Sequence, residues 1–230
     1  MSEVVLALDL PSAPEALSLV QQLPQLRWVK VGPILMTREG PELVRTLVDR
    51  GLQVFLDLKW HDIPNTVGGA VAAARELGVG MATVHVLGGR AMLEAAVTAA
   101  GGELALVGVT VLTSHDPAGY AATLGRREVQ VAPEVKRLAE IALDAGLSGV
   151  VCSAREVSVL RLQFGPDPYL VVPGIRRSSD SLGDQVRAAT ARDAAESGAT
   201  HLVVGRPVLH APDPVAALEE FFKEAGCVKS

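Results

Sequence analysis

Short apolar runs rich in β-type residues alternate along the chain with longer stretches whose apolar positions return at three- and four-residue spacing. The first pattern predicts strands and the second amphipathic helices. The runs are Val4–Asp9, Trp28–Val31, a third opening at Val54, Met81–Val86, Leu104–Leu112, Gly149–Cys152, Tyr169–Val172 and His201–Val204. Helices are expected over about Pro14–Leu23, Thr37–Arg50, Pro64–Leu77, from Gly88-Gly89 to Ala99, and then over Pro133–Ala145, Ala154–Phe164, Ala191–Ser197 and Pro214–Glu224. Ser12 suits the N-cap of the first, and Gly51, Gly78 and Gly146 stand where glycine ends a helix. Two connections are long: one through Thr113-Ser114-His115-Asp116-Pro117, the other a polar stretch from Ile175 to Gln185.

Eight strand–helix units in succession predict a closed parallel (β/α)8 TIM barrel, with residues 1–230 as one domain. A doubly wound open sheet is the alternative. Against it, Asp9-Leu-Pro-Ser-Ala follows the first strand where a Gly-x-Gly-x-x-Gly turn would be expected. No linker, low-complexity segment or sequence repeat interrupts the pattern.

The third strand breaks its own apolar run. Phe55-Leu-Asp-Leu-Lys-Trp-His-Asp-Ile-Pro-Asn-Thr66 places Asp57 and Lys59 within a strand and Asp62 just before a helix opened by Pro64. Alternation puts Phe55, Asp57 and Lys59 on one face. Charges in such a place are tolerated when paired, so a structural ion pair and a catalytic group both account for them. The neighbouring strands tip the balance. Asp9 ends the first, Lys30 nears the end of the second, Thr83 and His85 share a face in the fourth, and Thr113-Ser114 end the fifth. Hydrogen-bonding groups at one end of five consecutive strands predict a polar site where barrels of this kind carry their chemistry.

Across the ring, Pro173-Gly174-Ile175-Arg176 and Gly205-Arg206-Pro207 follow the seventh and eighth strands. Phosphate groups bind at that position in this fold. Gly205 would let backbone N–H groups approach an anion, and the planar Arg206 guanidinium would hold its oxygens; a glycine turn with a surface arginine is the plainer reading. The stretch from Arg177 to Asp184 is a candidate lid, with the Gln185 amide at its base. His61, His85, His115, His201 and His210 have no metal-ligand spacing, and a lysine between Asp57 and Asp62 would compete with an ion, so no metal site is expected.

Composition narrows the partners. With 49% hydrophobic and only 3% aromatic residues, the core must be aliphatic. A net charge of -5 without a basic run argues against general nucleic-acid binding while leaving room for a local basic pocket. No stretch of about 18 apolar residues predicts a membrane span. Met1-Ser2-Glu3-Val4 runs straight into a strand pattern without the features of a signal peptide, and Cys152 and Cys227 are far apart, so a cytoplasmic protein is expected.

Asp57-Leu-Lys59-Trp-His-Asp62-Ile63-Pro64-Asn65-Thr66 closely resembles the signature of the orotidine 5′-monophosphate decarboxylase family. The resemblance extends to Ala7-Leu8-Asp9, Lys30-Val-Gly32, Val111-Leu112-Thr113-Ser114, Val151-Cys152-Ser153, Pro173-Gly174-Ile175-Arg176, Gly183-Asp184-Gln185 and Gly205-Arg206-Pro207. Trp60 departs from it, where phenylalanine is commoner. The resemblance implies decarboxylation of orotidine 5′-monophosphate to uridine 5′-monophosphate, without metal or cofactor, by a homodimer of barrels. It makes Lys59 the proton donor, flanked by Asp57 and by Asp62, which with Ile63 and Thr66 would reach the partner's site. Lys30 would complete the charged array and hold the ribose with Asp9. Thr113 would meet the pyrimidine; Gln185, Arg206, Arg176 and the Gly205 N–H would surround the phosphate. A metal-dependent sugar-phosphate decarboxylase or aldolase on the same barrel is the enzymatic alternative, and a non-catalytic phosphate-ligand binding barrel the other.

Overall fold

The structure is a computed structural model that describes residues 2–177 and 189–226. Eight parallel strands close in sequence order: β1 (Glu3–Ala7), β2 (Trp28–Val31), β3 (Gln53–Trp60), β4 (Met81–His85), β5 (Ala105–Val109), β6 (Gly149–Val151), β7 (Tyr169–Val172) and β8 (His201–Val204), with β8 pairing back onto β1. The closed barrel is the architecture that the strand–helix alternation predicts, and closure excludes the open sheet.

The helices are α1 (Ala13–Gln21), α2 (Pro33–Asp49), α3 (Pro64–Glu76), α4 (Arg90–Ala100), α5 (Pro117–Thr123), α6 (Val131–Asp144), α7 (Ala154–Phe164), α8 (Ala191–Glu196), α9 (Arg206–Leu209) and α10 (Pro214–Glu224). Ser12 caps α1 by accepting the Glu15 N–H. Three helical segments depart from expectation. The α2 segment begins four residues early and kinks where Gly40, at φ 66°, precedes Pro41, so two short helical pieces meet there. The connection expected between Thr113 and Pro117 leads into α5, capped by Asp116 through the Gly119 N–H. A single helical turn, α9, follows Gly205, where the sequence pattern marks no helix of its own.

Alternation along the strands divides the core in two. Val5, Ala7, Phe55, Met81, Val107, Val171 and Val203 pack together inside the barrel, and the opposite faces pack under the helices. With few aromatic residues, the interior fills with branched aliphatics plus Phe55 and Met81. That plug is apolar, so polar strand residues are left to the two rims. Among the described residues, no helix is long and apolar enough to cross a membrane.

Candidate active site

The charges of β3 sit on an irregular segment. Leu56 pairs with Ala82, and the next pair is Trp60 with Val84, so four residue steps on β3 face two on β4. Within this bulge Lys59 takes φ 52°, left-handed backbone that costs a side-chain-bearing residue about 1–2 kcal/mol. Strict alternation therefore stops at Leu56. Asp57 and Lys59 still reach the same space, but through the bulge.

That space is a cavity of about 580 Å³ at the C-terminal end of the strands. Its size is within the range of small-molecule sites. Asp9, Lys30, Asp57, Lys59, Thr113, Arg176, Gly205 and Arg206 all line it, so eight of the residues singled out in the sequence come together there. Four of them form a chain of alternating charge. The Lys30 ammonium lies 3.1 Å from Asp9 Oδ1 and 3.6 Å from Asp57 Oδ2, and the Lys59 ammonium donates to Asp57 Oδ1 at 2.8 Å. Burial pushes the Asp57 carboxyl up, but the Lys30 and Lys59 cations, with hydrogen bonds from Lys59 and Thr83, outweigh it and hold the group below the usual carboxylate range. Asp57 is thus a buried anion between two cations. Lys59 keeps 36% of its side chain exposed, toward the cavity. Gly32 makes room for the array: a Cβ there would come within 3.1 Å of Lys30 Nζ and 3.3 Å of Asp9 Oδ1.

The wall that follows β7 and β8 is basic. Arg176 is buried; its backbone N–H donates to Ala189 O and its guanidinium to Ile175 O. Arg206 opens α9 next to Gly205, whose backbone is not left-handed, and a Cβ at Gly205 would meet only ordinary contacts. His210 stands four residues after Arg206, its N–H bonded to Arg206 O, and also lines the cavity. The sequence reading missed it because i, i+4 spacing carries meaning only on a helix, and this stretch reads as a turn.

Asp62, Ile63 and Thr66 stay outside this cavity. All three are exposed, Asp62 and Ile63 (by 65%) on the turn between β3 and α3 and Thr66 in the first turn of α3, and Asp62 accepts the Ile63 N–H at 2.6 Å. Gln185 and most of the candidate lid lie outside the described residues, as does Cys227. Thr83 does not line the cavity, and neither does His85, which shares its strand face. Its ring stacks on His61, with centroids 5.3 Å apart, and its Nδ1 accepts the Leu87 N–H. Burial, then the nearby His61 and Lys59, push it down to about 4, so it is neutral near pH 7. Among the described residues no three His, Cys, Asp or Glu side chains are grouped so as to hold a metal ion.

The family model described as orotidine 5′-phosphate decarboxylase / HUMPS family matches residues 2–221. A curated protein of Halorhodospira halophila named orotidine 5′-phosphate decarboxylase is 52% identical over 220 residues, covering 93% of this chain and 92% of its own. One of the same name from Alkalilimnicola ehrlichii is 49% identical over 231 residues, covering 97% and 96%. The crystal structure of orotidine 5′-phosphate decarboxylase from Lactobacillus acidophilus superposes with a TM-score of 0.86 at 36% identity, over 98% of this chain and 99% of that one. With similarity of this extent in both sequence and fold, and the charged array seated at the end of the barrel where the motif foretold it, the chain belongs to the orotidine 5′-phosphate decarboxylase / HUMPS family.

Proposed function

We propose that this chain is a carboxy-lyase that converts orotidine 5′-monophosphate to uridine 5′-monophosphate and carbon dioxide in pyrimidine biosynthesis, without metal or cofactor. The observation that carries this reading is the alternating array Asp9–Lys30–Asp57–Lys59, which presents one partly exposed ammonium to a cavity whose other wall holds Arg176 and Arg206. The name shared by the curated relatives favours a nucleotide over a sugar phosphate.

The hard step breaks the bond between C6 and the carboxylate and leaves the electron pair on a ring carbon with little resonance help. A fixed cation beside that carbon stabilises the developing charge, and its proton then completes the product. Lys59 fills both roles. Its proton passes to C6, and the neutral amine regains one from solvent. Asp57 orients the ammonium, Lys30 balances Asp57, and Lys30 with Asp9 holds the ribose. Thr113 meets the pyrimidine. Arg206, Arg176, the Gly205 N–H and Gln185 take the phosphate, and binding energy at that remote end helps organise the reacting end.

The reading includes a cytoplasmic homodimer of single-barrel chains. Asp62, Ile63 and Thr66 serve the neighbour's site, which accounts for an apolar Ile63 exposed beside a charged turn. Loss of orotidine monophosphate absorbance in the presence of a chelator is the expected result, and turnover only after a divalent metal is restored would favour the sugar-phosphate alternative. Mixing Lys59→Ala and Asp62→Ala chains should rebuild one intact site per mixed dimer. No recovery of activity, with subunit exchange confirmed, would refute the shared site.

A further inference from the structure

The Asp57–Lys59 pair has a third member that neither its strand nor the charge pattern reveals. Thr83, on β4, is fully buried. The Lys59 backbone N–H donates to Thr83 Oγ1 at 2.8 Å, and the Thr83 hydroxyl donates to Asp57 Oδ1 at 3.1 Å. The direction of both bonds is determined by chemistry. An amide N–H can only donate, an ionised carboxylate can only accept, and a hydroxyl does one of each.

The bulge explains why such a residue is needed. Between Leu56 and Trp60 the β3 backbone leaves its register with β4, and Lys59 sits at φ 52°. In a regular ladder the Lys59 N–H would find a carbonyl on the neighbouring strand. Here the hydroxyl of the residue lying between the paired Ala82 and Val84 accepts it. A buried N–H without an acceptor would make this backbone hard to maintain. The same hydroxyl supplies its proton to the oxygen that also accepts the Lys59 ammonium. One small side chain is therefore bonded to the backbone of the proposed acid and to the carboxylate that orients its side chain.

We propose that Thr83 is a positioning residue for the Lys59 ammonium, clamping the left-handed Lys59 backbone and the Asp57 carboxylate to each other from the adjacent strand. It does not itself line the cavity and acts only through these two residues, which do. This inference rests on the decarboxylase reading for its kinetic consequence, but not for its geometry.

Thr83→Val keeps the shape and removes the hydroxyl, whereas Thr83→Ser keeps the hydroxyl and removes the methyl. The valine chain should lose about tenfold to a hundredfold in kcat, the scale of one or two hydrogen bonds to a charged site. Its KM for orotidine monophosphate and its affinity for uridine monophosphate should stay within about threefold, because the binding groups are untouched. Its acid limb in kcat should move to higher pH, since Asp57 loses a donor that favours the anion. Serine should restore most of the rate and the acid limb. Wild-type kcat in the valine chain, or equal loss in both variants, would overturn the proposal, the latter pointing to methyl packing. Carbon-13 NMR titration of Asp57 separates this from a failure of the functional reading. If the unsubstituted chain turns over no orotidine monophosphate, that reading falls, while a raised Asp57 titration in Thr83→Val still supports the clamp and an unchanged one refutes it.

Discussion

At the N-terminal end of the barrel the Trp28 and Tyr169 rings pack edge-on against His201 at 5.1 and 5.2 Å, and Arg161 donates to the carbonyls of Gly165, Pro166, Pro168 and Gly198. At the C-terminal end Asp9, Lys30, Asp57 and Lys59 bond to one another across three strands. Both rims are polar, and they treat polarity differently. The lower rim keeps its histidine neutral and closes Arg161 onto backbone, which ties loops together. The upper rim keeps charges as charges, pairs them in a neutral alternating series, and leaves the last ammonium facing open space. Stability needs the first arrangement. The second adds little of its own, because desolvation offsets much of the attraction in a buried pair, and it makes sense as a site prepared for a reacting anion.

Removing the last cation should break the contrast most severely. Lys59→Ala should lower kcat by about 10⁴-fold or more, since one group supplies both charge stabilisation and the proton, while urea unfolding stays near that of the unsubstituted chain. Single-turnover measurement checks it, and near-normal turnover would mean another acid operates.

The lower rim should answer to pH through stability. Burial pushes His201 from its ordinary 6.5 down to about 4. As pH falls, the unfolded chain takes up this proton before the folded one. The stabilisation is complete above about pH 6.5 and is lost toward pH 4, about 3 kcal/mol in all. Thermal unfolding followed from pH 7.5 to 4.5 should show a falling midpoint, with a shallower fall in His201→Gln. Some slope should remain, because His85 is shifted in the same direction.

On the phosphate side of the upper rim, Arg206→Ala should reduce kcat/KM by roughly a hundredfold, the scale of losing a charge-assisted contact pair. The phosphate-free nucleoside should be a poor substrate and nearly indifferent to the substitution. Equal loss with nucleotide and nucleoside would place Arg206 outside the phosphate grip. The smallest effect is expected for Gly32→Ala. Its backbone, at φ -99°, suits alanine, but the new methyl presses on Lys30 and Asp9. A several-fold rise in KM with an unchanged unfolding midpoint is the expected outcome, measured side by side on one preparation.

The upper rim of this contrast is largely legible in the sequence. Strands and helices follow from local periodicity, and Asp9, Lys30, Asp57 and Lys59 announce themselves as charges at the ends of apolar runs. Residues that depend on a neighbour's position were not legible in the same way. His210 needed the helical turn of α9 to bring it beside the cavity. His85 shares a face with Thr83 on paper yet stacks on His61, because the chain turns into a short 3-10 segment (Val86–Gly88) directly after it. Thr83 looked like one more polar strand residue until the β3 bulge placed the Lys59 N–H over its hydroxyl.

The sequence by itself determined the alternation of strand and helix, the aliphatic filling, the end of the barrel that carries charge and the motif that assigns the family, because each depends on residues close together in the chain. Only the tertiary structure decided how Asp57 and Lys59 are held. Pleat alternation would have brought them to one face, but the chain reaches that arrangement through two extra residues and a left-handed lysine, tolerated because a threonine twenty-four residues away in sequence lies one strand away in space. Local pattern records what each residue prefers. Which unsatisfied groups meet, and so which strained backbone can persist, is settled only when separate strands are brought into register.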